Sequence, residues 1–212
     1  MTKPIYILGA GGHARVLVEA LRHNPNNQIA GFLEIDSRLI GAMVSGMPVY
    51  SQDVILNQLL PSDIVLVNGF GSVDIPKLRQ QQFEKLEKNG FAFLSVKHKT
   101  AYCASDVVLQ KGVQLLARST ILTGSKIGSN AIINTSASID HDCILGSHVH
   151  IAPGAILSGG VQIEDTCHIG AGAIIIQGVR VGKNSMVAAG AVVTKNISEN
   201  SRVAGIPARN II

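Results

Sequence analysis

Residues 127–151 read IGSNAIINTSASIDHDCILGSHVHI, and an aliphatic residue falls at every sixth place: Ile127, Ile133, Ile139, Leu145 and Ile151. The register extends without a break from Leu109 to Val193, through Leu115, Ile121, Leu157, Ile163, Ile169, Ile175, Val181 and Val187. Two residues before each of these lies a second set, mostly small, such as Ala131, Ala137, Cys143, Val149 and Ala155. Residues two apart on a strand point to the same side, so both sets face inward. A period of six is too short for a helical repeat and matches the hexapeptide class of parallel β-helix, in which three short strands make one triangular coil of about eighteen residues. Each coil buries its aliphatic residues only against its neighbours, so both ends of the stack need a cover.

The 212 residues divide where the pattern changes, near residue 105. Residues 1–98 read as a Rossmann-like α/β unit. Pro4-Ile-Tyr-Ile-Leu is a buried strand, Gly9-Ala-Gly-Gly-His-Ala a turn into a helix ending near Arg22, and Ile29 to Leu33 a second strand. Asp53 is placed to cap a short helix that Pro61 ends, Ile64 to Val67 is a third strand, Asp74 caps a longer helix to about Asn89, and Phe91 to Val96 is a last strand. Right-handed crossovers would line these strands into a parallel sheet. Residues 99–212 form the β-helix, entered through a junction at 97–106 and left by a tail from 194 onward.

Composition narrows the function classes. The longest apolar runs, such as Ala171 to Ile176, are far shorter than a membrane span, and no signal peptide is visible, so the expected setting is cytoplasmic with no membrane partner. Cys103, Cys143 and Cys167 require no disulfide. The net charge of +4 is spread thinly and aromatic residues make up 4%, which disfavours nucleic acid but suits a polyphosphate ligand.

Histidines carry the chemistry. His141 and Asp142 fall at a corner between two strands, where strict alternation is suspended; the carboxylate can hold one ring nitrogen and leave the other as a base. His150 and His168, eighteen residues apart, stack on adjacent coils about 4.8 Å apart, which requires at least one to stay neutral or to meet an anion. His141 and His150 are half a coil apart and therefore lie on different sides of the prism, so they share a site only across a subunit boundary. A zinc site would need other spacings: β-helices resembling γ-class carbonic anhydrases place two ligand histidines five residues apart, whereas the spacings from His141 through His148 and His150 to His168 are seven, two and eighteen. In the amino-terminal turn, Gly11 and Gly12 allow a phosphate to approach a helix start, His13 adds a donor, and Glu34 or Asp36 after the second strand suits a ribose hydroxyl. These residues alone do not separate a nicotinamide cofactor from a nucleotide sugar.

The segments Gly9-Ala-Gly-Gly-His-Ala, Gly31-Phe-Leu-Glu-Ile-Asp, Asn134-Thr-Ser-Ala, Ile139-Asp-His-Asp-Cys, His148-Val-His-Ile-Ala and Gly205-Ile-Pro-Ala-Arg together resemble the bacterial hexapeptide-repeat sugar O- and N-acetyltransferases of the sialic-acid O-acetyltransferase type. The likeness is greatest to those acting on UDP-linked 4-amino-4,6-dideoxy sugars in bacillosamine pathways. The resemblance covers essentially the whole chain. It implies a left-handed β-helix, a homotrimer, and acetyl-CoA lying in the groove between neighbouring helices with no metal. It further implies His141 as base, Asp142 as its orienting partner and Asn134 as a nearby substrate-side group. Acetyl-CoA would be held through His150, Gly159, Ala171, Ala189 and Arg209. The UDP would be held by Gly11, Gly12, His13, Glu34 or Asp36, and Gly69 of the loosely matching loop Asn68-Gly-Phe-Gly. The expected reaction is N-acetylation of the 4-amino group by direct attack; the rivals are a sugar O-acetyltransferase using the same base and a non-catalytic nucleotide-sugar-binding trimeric scaffold.

Overall fold

The computed structural model describes residues 3–211. Strands β1 (Ile5–Leu8), β2 (Ile29–Glu34), β3 (Met43–Val44), β4 (Met47–Ser51) and β5 (Val65–Asn68) form a sheet in the order β3-β4-β2-β1-β5, parallel except for the β3–β4 hairpin. Helices α1 (Gly12–Arg22), α2 (Gln52–Gln58) and α3 (Lys77–Lys88) complete this unit. α1 buries Ala14, Leu17, Val18 and Leu21, the one-sided spacing of an amphipathic helix. Each of its larger side chains contributes roughly 1.5–3 kcal/mol by leaving water.

The remainder is a left-handed parallel β-helix with three faces. The first face stacks Val96–Lys97, Gln114–Leu115, Ile132–Ile133, His150–Ile151, His168–Ile169, Met186–Val187 and Arg202–Ala204; the second runs from Tyr102–Cys103 to Val192–Val193; the third runs from Val108–Leu109 to Arg180–Val181. Every aliphatic register residue from Leu115 to Val193 is at most 3% exposed, and only Leu109, in the outermost coil, is partly open. A third register is visible in the backbone: every sixth residue from Gly112 to Gly190, including Asn130, Asp142, His148 and Asn184, turns its corner with φ between 57° and 73°. This left-handed conformation favours glycine and tolerates Asn and Asp, which explains the composition of the corners.

Several local expectations are revised. Phe91 to Val96 is not a strand of the amino-terminal sheet: only Phe93 bridges Leu66, while Phe91 and Phe93 pack with Phe83 and Leu86, and Val96–Lys97 is instead the first strand of the β-helix. The junction is likewise already coiled, Tyr102–Cys103 pairing with Thr120–Ile121. The tail winds on, with Ile197 bridging Val181 and Val203 pairing with Val187, before Arg209–Asn210 folds back antiparallel over the end. α2 starts after Ser51 with Asp53 inside its first turn, and α3 starts after Pro76; Asp74 caps neither helix but forms a two-pronged pair with Arg202 at 2.9 and 3.0 Å. The amino-terminal unit covers the first face, where Leu116 and Ile132 join its core.

Candidate active site

Two clefts meet on this covered face. The first, about 640 Å³, lies at the carboxyl ends of β1, β2 and β5 and is lined by Gly9–His13, Glu34, Asp36, Gly69–Val73, Leu116, Asn134 and His150. It sits where the strand order reverses between β1 and β5, the position at which open α/β sheets bind ligands. The second, about 540 Å³, runs up the edge between first and second faces, past Ala152, Pro153, Gly170, Ala171, Ala188 and Ala189. Ser72, Val73, Asn134 and His150 line both.

His150 is fixed at that junction. Its Nδ1 lies 3.1 Å from the Ser72 carbonyl, an acceptor only, so Nδ1 carries the proton; Nε2 then accepts from Asn134 Nδ2 at 3.1 Å. Asn134 Oδ1 in turn accepts from the Thr135 amide at 2.8 Å. Burial, the neighbouring His168 and other positive groups hold the His150 pKa well below its ordinary value. His168 is also lowered, by burial, and the two rings meet edge to face at 4.9 Å, so stacking is accommodated by two neutral imidazoles.

Within the first cleft Gly11 and Gly12 open α1, which has no side-chain cap and no acidic residue in its first turn, leaving its amides for a ligand. Gly69 must be glycine, since a Cβ there would stand 2.4 Å from the Leu8 carbonyl oxygen. His13 departs from expectation. Its Nε2 faces Gln114 Oε1 at 2.7 Å, while Gln114 Nε2 donates to the Asn68 carbonyl. The His13 proton is therefore engaged by Gln114, and burial with nearby Arg79 pushes the pKa down to about 4; its remaining nitrogen is an acceptor, not the expected donor. Glu34 is also engaged: its carboxylate accepts from the amides of Ala10 (2.9 Å), Ile35 (2.8 Å) and Asp36 (3.2 Å), bracing the turn. Asp36 stays on the rim, paired with Arg38, which holds its carboxyl down to about 2.

His141 is elsewhere in the protomer, on the exposed edge between second and third faces. Its Nδ1 is 2.9 Å from Asp142 Oδ2, and the bond to Asp142, with the nearby Asp140, raises its pKa. The left-handed backbone of Asp142 (φ 59°) turns the carboxylate back toward the ring. Gly159 lies on this edge under His141, not in the alanine-lined cleft with Ala171 and Ala189. Arg209 lies at the far end of the prism, its Nη1 on the Ala208 carbonyl. One protomer thus joins Asn134 to His150 but neither to His141. Cys143 and Cys167 point into the core, where burial pushes their thiols up to about 11 and about 12. Among the described residues no cluster of three or more His, Cys, Asp or Glu side chains could hold a metal ion, and no helix is long and apolar enough to cross a membrane.

Sequence reading missed Ser72, Gln114 and the buried Arg79. Ser72 and Arg79 belong to a loop and a helix without a motif, and Gln114 is an outward position of the register; only tertiary contact gives them a role.

Residues 4–86 match the PglD N-terminal domain, residues 124–159 the bacterial transferase hexapeptide (six repeats), and residues 160–195 the hexapeptide repeat of succinyl-transferase. GDP-perosamine N-acetyltransferase from Escherichia coli O157:H7 is 30% identical over 162 residues, 75% of this chain and 72% of that protein. A mutant of perosamine N-acetyltransferase from Caulobacter crescentus, solved with CoA and GDP-perosamine, is 33% identical over 97% of this chain and 95% of its own, with a TM-score of 0.89. The acetyltransferase domain of PglB from Neisseria gonorrhoeae FA1090 is 31% identical, covers 99% and 100% of the two chains and also gives a TM-score of 0.89. With its PglD-type domain, its hexapeptide coils and relatives of this similarity along most of its length, the chain belongs to the bacterial hexapeptide-repeat sugar N-acetyltransferases.

Proposed function

We propose that the protein, an acyl-CoA-dependent N-acetyltransferase, moves the acetyl group of acetyl-CoA to the 4-amino group of a UDP-linked amino-dideoxy sugar, with His141 of one protomer serving the clefts of its neighbour in a cytoplasmic homotrimer. The observation that carries this reading is the meeting of two clefts at Ser72, Val73, Asn134 and His150. In this division of labour residues 1–98 hold the nucleotide and residues 99–212 the acyl donor. The diphosphate lies at Gly11, Gly12 and Gly69, with His13 accepting a ligand hydroxyl. Glu34, braced by backbone amides, or Asp36, held by Arg38 on the rim, reaches the ribose. The donor's narrow arm follows the small residues Ala171 and Ala189 toward His150, with Gly159 and Arg209 of an adjoining chain beside it. A guanine nucleotide is the second reading, favoured by the names of the perosamine relatives.

The prism supports the subunit sharing of this reading. The clefts meet at the edge between first and second faces, and His141 lies between second and third, so in this reading the second face forms the contact. Its outward column includes Tyr102, Ile156 and Ile174, all exposed apolar side chains, whereas the third face interposes Lys126, Gln162 and Arg180. A closed ring of such contacts is how one surface serves every subunit.

With Nδ1 bonded to Asp142, His141 presents Nε2 as the base. The amine nitrogen bonds to the acetyl carbon, the carbon–sulfur bond breaks, and His141 takes the amine proton and passes it to the departing thiolate. Alignment of amine and thioester supplies much of the acceleration. The buried thiols with raised pKa values support direct attack over an acyl-enzyme. Acetyl-CoA turnover against UDP- and GDP-linked 4-amino, 3-amino and hydroxyl sugars tests the reading: it requires the 4-amino UDP sugar to give the highest kcat/KM. Preference for a hydroxyl sugar would replace it with O-acetylation, and turnover of none, with no acetyl-CoA binding, would leave a scaffold.

A further inference from the structure

The walls of the first cleft carry no lysine or arginine. They hold two carboxylates, Glu34 and Asp36, and two imidazoles, His13 and His150, whose pKa values lie below the ordinary one. A ligand bearing a diphosphate would therefore meet no cationic side chain in the lining. Arg38, paired with the rim residue Asp36, and Arg15, whose Nη2 comes within 4.0 Å of a Cβ built on Gly12, flank the cleft, and one further cation lies buried one layer below its floor. Arg79 of α3 is 1% exposed and has no carboxylate partner among the described residues. Its Nη1 donates to the carbonyls of Asn68 (2.7 Å) and Phe70 (2.9 Å), and its Nε and Nη2 to that of Asn130 (3.3 and 3.2 Å). Its charge reaches both His13 and His150, which lie on the cleft wall.

A guanidinium buried without a counter-ion is among the most costly groups a fold can keep, and three neutral carbonyls compensate it only in part. The same bonds order the cleft floor. Because a trans peptide points its C=O and N–H in opposite directions, drawing the Phe70 carbonyl toward Arg79 turns the Gly71 amide away from it, and Gly71 lines the cleft. We propose that Arg79 is the positioning and charge-supplying residue for the diphosphate of the sugar nucleotide, acting from beneath the Asn68–Gly71 floor without touching the ligand. The inference rests on the nucleotide-sugar reading above.

Calorimetric titration with uridine, UMP and UDP, and with guanosine, GMP and GDP, separates charge from structure. The wild-type protein should bind the diphosphate of one series more tightly than its nucleoside. In Arg79→Gln the loss should grow with ligand charge, small for the nucleoside and roughly tenfold for each unit of charge within about 10 Å at an effective dielectric near 20. Arg79→Lys keeps the charge but lacks the planar fork that spans the three carbonyls. It should melt at a lower temperature yet retain the tighter binding of the diphosphate, which keeps the test open if the glutamine variant does not fold. Equal losses for nucleoside, monophosphate and diphosphate, no loss at all, or a folded lysine variant without the diphosphate preference would overturn the role of Arg79. Wild-type protein that binds neither diphosphate would instead overturn the nucleotide reading itself, and this inference with it.

Discussion

The imidazole of His141 lies across the bare Cα of Gly159, one coil further along the same edge: a Cβ built on Gly159 would stand 2.5 Å from Nε2 and 2.6 Å from Cε1. No left-handed backbone angle protects Gly159, so alanine is acceptable to the main chain and objectionable only to the ring. Gly159→Ala should swing His141 out of line and lower kcat about 100-fold, the scale of a misplacement near 1 Å. The melting temperature should stay near that of the wild type. An unchanged kcat in the folded variant would show that the ring position over Gly159 is not the reactive one.

His141→Ala should lower kcat by roughly 10²- to 10⁴-fold, the range for a lost general base, with acetyl-CoA binding nearly intact. The pH profile carries the finer test. Asp142 and Asp140 raise the His141 pKa, and a base works only when deprotonated, so the acid limb of kcat/KM should lie above the ordinary histidine value. Asp142→Asn should move that limb down and reduce activity less than His141→Ala does. A limb that stays put in Asp142→Asn would remove Asp142 from its orienting role.

Acid should destabilise the fold through its buried histidines. A histidine whose pKa falls on folding is protonated in the unfolded chain first, so its share of stability is full above about 6.5 and falls as pH drops toward the native value. For His13, with a native value of about 4, that slope is roughly 1.4 kcal/mol per pH unit across the window. His150, His148 and His168 act in the same direction. Denaturant titrations from pH 7 to pH 5 at fixed protein concentration should show this loss, and His13→Gln should make it shallower. A stability that is flat over that range would contradict the neutral assignment of these rings.

Sequence exposed the β-helix because its period is written in the core residues, where Leu115 to Val193 have no alternative to burial. The His141–Asp142 corner was legible for a similar reason: adjacency at a turn is a local property. What was not legible depended on contacts made at long range. Phe91 to Val96 has the composition of a strand, but Phe83 and Leu86 claim its aromatics and the β-helix claims its end. The hairpin of β3 and β4 is too short to leave a pattern. Asp74 precedes a helix, but α3 starts only after Pro76 and the Asp74 carboxylate is held by Arg202, 128 residues away. His13 reads as a donor from its turn alone, because Gln114, the group that takes its proton, lies 101 residues away in the chain.

The central claim is that a single reaction centre is built from His141 of one chain and His150 of another. The measurement that tests it most directly is activity after mixing His141→Ala and His150→Ala proteins, each severely impaired alone, under conditions shown by mass spectrometry to exchange subunits. At equal amounts and random exchange, about one quarter of the sites in a closed ring should regain both histidines, and activity should rise toward that fraction of wild type. Complete exchange with no rise above the activity of either parent would mean that the two histidines do not meet across an interface.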